Sequence, residues 1–392
     1  MKLAQRAVSA PPFHAMSIGA HACEIESRGQ SVSKLCLGEP SFGAPPAVRQ
    51  ALSHVAHQNL PYSPAEGLPA LREAISGYYR DVHDVAVDPA RILITSGASA
   101  GLLLATALTC EPGDDVVLAD PCYPCNRELV NSFGGRFVLA PTSAATRYQL
   151  NAEAIETVWT PYTSAVQIAT PSNPTGTSIP YEELNRLCRA AQEQGIWRIV
   201  DEIYLGLSDP DPQGNPARTV LATDPEAIVV SSFSKYFGMT GWRLGWLVLP
   251  DELVEPARNL AVNYFLCAST PAQLAALEAF TPASLALCEQ HREELVARRR
   301  LALDGLRALD LKVPVEPDGA FYIYFDVSDT GLSSWDFCMR ALDQARVALT
   351  PGRDFAVRTA ESHVRLSYAA STAEVGEGLD RLGSFLAGLN RP

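Results

Sequence analysis

The chain has 392 residues, of which 47% are hydrophobic and 19% are charged, and its formal net charge at pH 7 is −13. This length exceeds what one hydrophobic core usually serves, so two domains are expected. The acidic balance argues against general binding of nucleic acids or anionic membranes, and no apolar run reaches the roughly 18 residues of a membrane span.

The first 35 residues show little periodicity and are predicted to form an arm. Lys2 and Arg6 are not followed by a continuous apolar stretch, so a secretory signal is not expected. A helix is predicted to begin at Pro46, where proline suits the first turn, and a second helix to run from Leu68 to about Arg80.

Short apolar segments then alternate with helical ones. Tyr181 to Gln194 has a clear helical pattern closed by Gly195, and 101–108 is a further predicted helix. This alternation predicts an α/β domain with a mostly parallel sheet. The predicted strands cover 91–95, 116–119, 137–139, 165–169, 197–200 and 227–230.

The pattern changes after Pro250 and predicts a smaller α+β domain, completed by the N-terminal arm. The division is expected to be 1–45 for the arm, as part of the small domain, 46–280 for the large domain and 281–392 for the small C-terminal domain. The predicted elements after Pro250 are helices at 252–280, 284–309 and 334–346, strands at 321–325 and 363–367, and a terminal helix.

Small and polar residues follow the predicted strands, at the points where the strands end. In open α/β sheets, ligands bind beyond the carboxyl ends of the strands. Ala98 and Ser99 open a helix after the strand 91–95, and small residues there let backbone N–H groups approach a phosphate. Tyr123 and Asn173 follow two further strands, and they offer an aromatic ring and an amide.

A carboxylate and a lysine follow the last two strands. Asp201, with Tyr204 three residues on, is either a partner in a salt bridge or a fixed charge that keeps a ring nitrogen protonated. Lys235 follows the strand 227–230, where a lysine is costly to bury and suited to forming a Schiff base. Together these groups describe a phosphorylated, aromatic, nitrogen-containing aldehyde, and pyridoxal 5′-phosphate (PLP) meets each requirement.

The motifs resemble those of the class I/II aminotransferases, which are PLP enzymes of fold type I. The lysine motif Ser-x-Ser-Lys-x-x-Gly-x-x-Gly-x-Arg-x-Gly matches 232–245, Asn-Pro-x-Gly matches 173–176, and Asp-x-x-Tyr matches 201–204. Gly-Glu-Pro at 38–40 and the pattern that begins at Tyr62 also match. The resemblance covers essentially the whole chain, and it implies a large domain whose mostly parallel sheet lies between helices, plus a smaller α+β domain.

The resemblance implies a role for each matching residue. Lys235 would bind the cofactor as a Schiff base and carry the proton, while Asp201 would hold the pyridinium proton. Asn173 and Tyr204 would bond the ring oxygen, and Tyr123 would stack on the ring. The phosphate ligands would be the backbone of Ala98 and Ser99, the hydroxyl of Ser232 and the guanidinium of Arg243.

Substrate binding and assembly are implied in the same way. Arg365 would bind the substrate α-carboxylate with a planar fork, close to Asn173 and to the backbone of Gly38. Tyr62 would reach the phosphate from the neighbouring subunit, which implies a homodimer with shared active sites. Ser269 or Thr270 is expected near the site on a looser match.

The expected activity is transfer of an amino group from an L-amino acid to a 2-oxo acid by a ping-pong mechanism in the cytoplasm. The same scaffold also serves C–S lyases, decarboxylases and cyclopropane-carboxylate synthases. Some transcription regulators carry an aminotransferase-like ligand sensor, but only about 35 residues precede Gly38, too few for a DNA-binding module.

Two features depart from the family pattern. Cys122 and Cys125 form a lone C-x-x-C, for which zinc or redox work and two incidental thiols are the alternatives; no metal site is expected. The nine cysteines are scattered, and free thiols in the cytoplasm fit better than disulfides. The helix segment 102–108 lacks the lysine that some aspartate-using relatives place there. Its absence favours a neutral or aromatic amino acid as substrate over a dicarboxylic one, with substitution by another arginine as the alternative.

Overall fold

The structure is a computed structural model, and it describes residues 1–211 and 213–389. The α-helices are α1 (Gln5–Ser9), α2 (His14–Ser27), α3 (Pro46–Val55), α4 (Pro69–His83), α5 (Ala98–Thr109), α6 (Pro124–Ser132), α7 (Ala152–Glu156), α8 (Tyr181–Glu193), α9 (Asp251–Phe265), α10 (Thr270–Ala276), α11 (Pro282–Ala308), α12 (Ser334–Arg340) and α13 (Thr372–Leu389). The strands are β1 (Ser33–Lys34), β2 (Ile92–Thr95), β3 (Asp115–Asp120), β4 (Arg136–Pro141), β5 (Thr163–Ala169), β6 (Trp197–Asp201), β7 (Ile228–Ser232), β8 (Gly245–Val248), β9 (Tyr322–Asp326), β10 (Val347–Ala348), β11 (Thr350–Pro351) and β12 (His363–Ser367).

A seven-stranded sheet forms the centre of the molecule, in the order β2-β8-β7-β6-β5-β3-β4. Neighbours from β7 to β4 pair in parallel, and β8 runs antiparallel to both β2 and β7. Along β7, Val229 packs into one buried cluster, and Ile228 and Val230 pack into another on the opposite face. Both faces are therefore covered, as the apolar strands predict, and the predicted α/β fold is confirmed.

Strand β8 was not predicted. The strand begins at Gly245, the last residue of the lysine motif. The apolar run Trp246-Leu247-Val248 that follows is too short to show a periodicity of its own. In the structure Trp246 pairs with Ile94 on one side and Ser231 on the other. This pairing places Gly245 against Ser232, and it fixes Arg243 two residues earlier at the edge of the site.

The N-terminal segment predicted to form an arm contains a helix, α2, that was not predicted. This helix buries Ala15, Ile18, Ala22 and Ile25, and their spacing of three to four residues is that of one helix face. After α2, β1 pairs in parallel with β10, far along the chain.

The C-terminal part contains a second, antiparallel sheet in the order β11-β12-β9, and helix α11 extends over 27 residues. The strands of the large sheet all fall within 92–248, whereas the small sheets use 33–34 and residues after 321. The predicted division into 1–45, 46–280 and 281–392 stays a prediction. Among residues 1–211 and 213–389, no helix has the length and apolar character needed to cross a membrane.

Two predicted helices are interrupted. The predicted helix 252–280 breaks after Phe265, because Leu266 adopts a positive φ of 65° and Pro271 lies in the first turn of α10. The predicted helix 334–346 keeps α-helical geometry only to Arg340 and continues as a π-helical turn over 341–345.

Candidate active site

A cavity of about 250 Å³ lies at the carboxyl ends of the parallel strands. Ser232 and Tyr62 do not line it, and neither do Ser269 and Thr270, which were expected there on a looser match. The other ten predicted residues do: Gly38, Ala98, Ser99, Tyr123, Asn173, Asp201, Tyr204, Lys235, Arg243 and Arg365.

Lys235 is held in this cavity by the loop after β7. Its amine donates a hydrogen bond of 2.6 Å to the carbonyl oxygen of Gly38. Burial lowers the pKa of Lys235 to about 8, and the positive charges of Arg243 and Arg365 act in the same direction, against the attraction of Glu39. The amine is therefore neutral, and nucleophilic, far more often near neutral pH than the amine of an exposed lysine.

Asp201 ends β6 and lines the same cavity. Burial raises the pKa of its carboxyl to about 6, although the backbone N–H of Ile203 donates to Oδ1 at 3.0 Å and favours the charged form. A buried carboxylate with so few partners favours a cationic group beside it, such as a protonated ring nitrogen.

Tyr204 contacts a residue that the sequence analysis missed, Tyr322 of β9. Their hydroxyls lie 2.9 Å apart, and both side chains are buried. The Tyr322 hydroxyl also contacts Gly38, where an added Cβ would lie 2.3 Å from it. Gly38 is thus required by packing, and its carbonyl can approach Lys235.

Arg365 of β12 is held by several contacts at once. It donates to the side-chain oxygen of Asn173 at 2.8 Å, to the Cys36 carbonyl at 2.7 Å and to the Thr350 hydroxyl at 3.1 Å. Its guanidinium carbon lies 4.5 Å from the ring centre of Tyr322. Its Nε is buried without a hydrogen-bond partner among the described residues. Such a fixed, partly unsatisfied fork suits a carboxylate ligand.

The cavity also contains an anion cradle. Helix α5 begins at Ala98, directly after Gly97, whose φ is +83°. An added Cβ at Gly97 would lie 2.6 Å from Nη2 of Arg243, so the guanidinium packs against the loop that precedes the helix. A helix N-terminus beside a guanidinium fits a phosphate group.

The hydroxyl of Ser232 points elsewhere. It donates to the Leu244 carbonyl at 3.0 Å, while Ser234, two residues on, lines the cavity. Both serines belong to the lysine motif, and only their position in the folded loop distinguishes them.

The start of α2 also lines the cavity, through Phe13, Ala15 and Met16, which the sequence analysis missed. The Phe13 ring lies edge-on to Tyr123, with 6.2 Å between the ring centres. Asp354 fixes this helix end by accepting the backbone N–H of Ala15 at 2.8 Å. The sequence signal that could have revealed α2 was the three- to four-residue spacing of its buried residues.

The two cysteines of the C-x-x-C do not pair. Cys122 is buried, accepts a hydrogen bond from Nε of Arg127 at 3.4 Å, and donates its backbone N–H to the Phe355 carbonyl at 2.9 Å. All nine cysteines are free. Within 1–211 and 213–389, no group of three histidine, cysteine or acidic side chains could hold a metal ion. The contacts of Cys122 attach the Tyr123 loop to the C-terminal part.

Tyr62 does not line the cavity, and 80% of its surface is exposed. Its neighbour Pro61 accepts a hydrogen bond from the Thr270 hydroxyl at 3.2 Å. The exposed side chains of Tyr264 and Leu266 lie in the same stretch of chain as Thr270.

Known proteins resemble this chain in sequence and in fold. The chain is 39% identical over 378 residues to a valine–pyruvate aminotransferase of Mycobacterium tuberculosis, with 96% of each chain covered. It is 34% identical over 388 residues to an aspartate/prephenate aminotransferase of Thermus thermophilus, with 98% of each covered. A crystal structure of aspartate aminotransferase from T. thermophilus with maleate superposes with a TM-score of 0.92 at 33% identity, covering 98% of this chain and 100% of that one.

The family described as "Aminotransferase class I and II" matches this chain over residues 30–382. An aminotransferase structure from M. tuberculosis agrees with a TM-score of 0.94 at 38% identity, covering 99% of this chain and 100% of that one. These matches confirm the resemblance, the fold and the type of reaction that the motifs predicted. The chain belongs to the class I/II aminotransferases and is an aminotransferase of fold type I.

Proposed function

We propose that this aminotransferase binds PLP in the cavity around Lys235 and works in the cytoplasm as a homodimer, by a ping-pong mechanism. The observation that carries the proposal is the buried amine of Lys235, with a pKa of about 8, in one cavity with the Asp201 carboxylate and the Arg365 guanidinium. The family uses PLP, and the nine free cysteines fit a reducing compartment.

The residues present fit the cofactor at each of its polar groups. The N-terminus of α5 at Ala98 and Ser99, together with Arg243, would bind the phosphate, with Ser234 or Ser232 adding a hydroxyl. The Asp201 carboxylate would accept a hydrogen bond from the protonated ring nitrogen and so keep it protonated, and Tyr123 would pack on the ring. Asn173 and Tyr204 would bond the ring oxygen.

The chemistry then divides between the cofactor and the chain. When bound, PLP supplies an electron-withdrawing ring that stabilises negative charge at the substrate Cα. Lys235 Nζ, released by the incoming amino acid, would take the Cα proton and hand it on, since a pKa of about 8 lets the amine both accept and give up a proton. Arg365 would hold the substrate carboxylate and so fix the Cα proton towards Nζ.

A Lys235→Ala variant tests the assignment. We expect loss of transamination by several orders of magnitude with PLP still bound, because phosphate and ring contacts remain. PLP retention is measured by equilibrium dialysis, and Lys312→Ala, which removes an exposed lysine, is the control. Full activity in Lys235→Ala would refute the proposal.

Product analysis separates transamination from a lyase reaction on the same scaffold. In the absence of an acceptor, one equivalent of 2-oxo acid per active site with retention of nitrogen on the cofactor indicates transamination. Continuous release of ammonia with pyruvate would instead indicate lyase activity.

The homodimer with shared sites is supported by the exposure of Tyr62 outside its own cavity and by the exposed Tyr264 and Leu266 nearby. If Tyr62 reaches the partner's phosphate, then Tyr62→Phe weakens PLP binding. A hybrid of one Tyr62→Phe subunit and one Lys235→Ala subunit regains one intact site per dimer. A hybrid with no more activity than the Tyr62→Phe homodimer would contradict the shared site.

A further inference from the structure

Several apolar side chains line the active-site cavity, and five of them form a group that we call the apolar wall. The apolar wall combines side chains from the start of α2, from the segment before Gly38 and from α5, far apart in sequence. Its members are Phe13, Ala15, Met16, Leu37 and Leu102.

The charged groups of the cavity are few. Within the part of the chain that the structure describes, the cations that line it are Lys235, Arg243 and Arg365. Lys235 bonds the Gly38 carbonyl, and Arg243 packs against the loop before α5. The guanidinium of Arg365, which would bind the substrate α-carboxylate, is held by Asn173, Cys36 and Thr350. Each of the three cations therefore already has a contact within the chain.

The acidic lining residues are Asp201 and Glu39. Glu39 is close enough to Lys235 to be the largest electrostatic influence that raises its pKa. Among the residues of one subunit, a second carboxylate on a substrate would therefore meet the negative charge of Glu39 or the apolar wall, and a carboxylate buried without a partner is costly.

The apolar wall is fixed at one end by a buried carboxylate. Asp354 accepts the backbone N–H groups of His14 at 3.0 Å and Ala15 at 2.8 Å, and its Oδ1 lies 2.6 Å from the His14 ring. These contacts hold Phe13 and Met16, the residues on either side, at the cavity. Because 63% of the surface of Met16 is exposed, a ligand in the cavity can still bury apolar surface against it.

We infer that the amino acid substrate has an uncharged, apolar side chain, and that Phe13 and Met16 contact it. The inference rests on the proposed function, because it assumes that Arg365 takes the α-carboxylate. Asp354 is a positioning residue in this arrangement, since it contacts the helix end and not the substrate. Each further methylene group buried on this wall should tighten binding by about fourfold.

The first test is a half-reaction screen with purified PLP-loaded enzyme. Single amino acids are added without an acceptor, and the absorbance of bound PLP is followed. We expect leucine, valine, methionine and phenylalanine to react at least tenfold more efficiently than aspartate and glutamate. If dicarboxylic amino acids react best, the inference fails and the proposed function stands; if no amino acid reacts, the proposed function itself fails.

A binding measurement without chemistry supplies a second readout. By calorimetry, 4-methylpentanoate, which has the leucine skeleton without the amino group, should bind more tightly than propanoate, and glutarate should bind least. Equal affinity for glutarate and 4-methylpentanoate would overturn the inference.

Two matched variants test the apolar wall: one places a positive charge on the wall, and the other places the same charge outside the cavity. Met16→Arg should lower the efficiency with leucine by tenfold or more and raise the efficiency with glutamate relative to leucine. Tyr162→Arg places the same charge at a 65% exposed aromatic residue outside the cavity, and it should leave the ratio unchanged. An unchanged ratio in Met16→Arg, with normal PLP content and thermal stability, would exclude contact between Met16 and the substrate.

Discussion

The hydroxyl groups of Tyr204 and Tyr322 lie 2.9 Å apart in a fully buried pair that joins the large sheet to the antiparallel sheet. Tyr322 also packs on the guanidinium of Arg365. One side chain thus contacts both the residue expected to bond the cofactor and the residue expected to bond the substrate.

Replacing Tyr322 by Phe removes one hydroxyl of this pair. We expect a loss of about 1 to 3 kcal/mol in the free energy of unfolding, since the Tyr204 hydroxyl loses its buried partner. The pH dependence of the absorbance of bound PLP should also shift. Tyr162→Phe, at an exposed site, is the control, and identical unfolding curves for both variants would show that the pair contributes nothing.

The contact between Gly38 and Tyr322 predicts a coupled pair of substitutions. Gly38→Ala should destabilise the protein by about 1 to 3 kcal/mol, because the new methyl group would lie 2.3 Å from the Tyr322 hydroxyl. In a Tyr322→Phe background much of this cost should disappear.

A double-mutant cycle measures this coupling from urea unfolding, and we expect at least about 1 kcal/mol. Gly376→Ala, where an added Cβ meets nothing within 4 Å, should show no coupling with Tyr322→Phe. Additive effects for residues 38 and 322 would contradict the proposed packing.

The lowered pKa of Lys235 predicts selective labelling of the apoenzyme. Because the amine is largely neutral above pH 8, its acetylation by trace acetic anhydride should reach half-maximum near that pH. Lys312 is exposed and paired with Asp329, which raises its pKa, so its labelling should rise only at much higher pH. Peptide mass spectrometry from pH 6 to 11 compares the two; a common titration curve would be incompatible with burial of Lys235.

The raised pKa of Asp201 predicts how the stability of the apoenzyme depends on pH. The carboxyl titrates near 6 when folded and near 3.9 when unfolded, so the folded state binds the proton more tightly. Its ionisation therefore costs stability as pH rises from about 4 through 6, reaching about 2 to 3 kcal/mol above that range.

Asp201→Asn removes this cost. The variant apoenzyme should be more stable than the wild type at pH 8 and closer to it at pH 4.5, as measured by urea unfolding at both pH values. It should also bind PLP more weakly, since the ring nitrogen loses its counter-charge. An equal difference in stability at the two pH values would argue against the raised pKa.

Gly97 and Gly113 form a matched pair for the anion cradle. Both have positive φ, +83° and +97°, so an alanine strains the backbone at either position by about 1 kcal/mol. Only at Gly97 does the new Cβ meet Arg243, at 2.6 Å, whereas at Gly113 it meets nothing within 4 Å. Gly97→Ala should weaken binding of PLP and of inorganic phosphate tenfold or more, and Gly113→Ala should leave both unchanged.

The core of the site could be predicted because its residues follow buried strands of one sheet. Asp201 and Lys235 lie at or just past the ends of β6 and β7, which pair in parallel, and parallel strands bring their carboxyl ends together. The interrupted helix at Leu266 and the short strand β8 could not be predicted, because four or five residues carry too little periodicity.

The sequence by itself determined the family, the parallel sheet and ten of the residues that line the cavity, since local motifs and strand ends encode them. Only the tertiary structure brought Tyr322 to Tyr204, directed Ser234 rather than Ser232 into the cavity, and fixed Phe13 and Met16 there through Asp354. The His14–Asp354 contact joins residues 340 positions apart. Such contacts depend on how distant segments pack, and no local spacing in the chain encodes that packing.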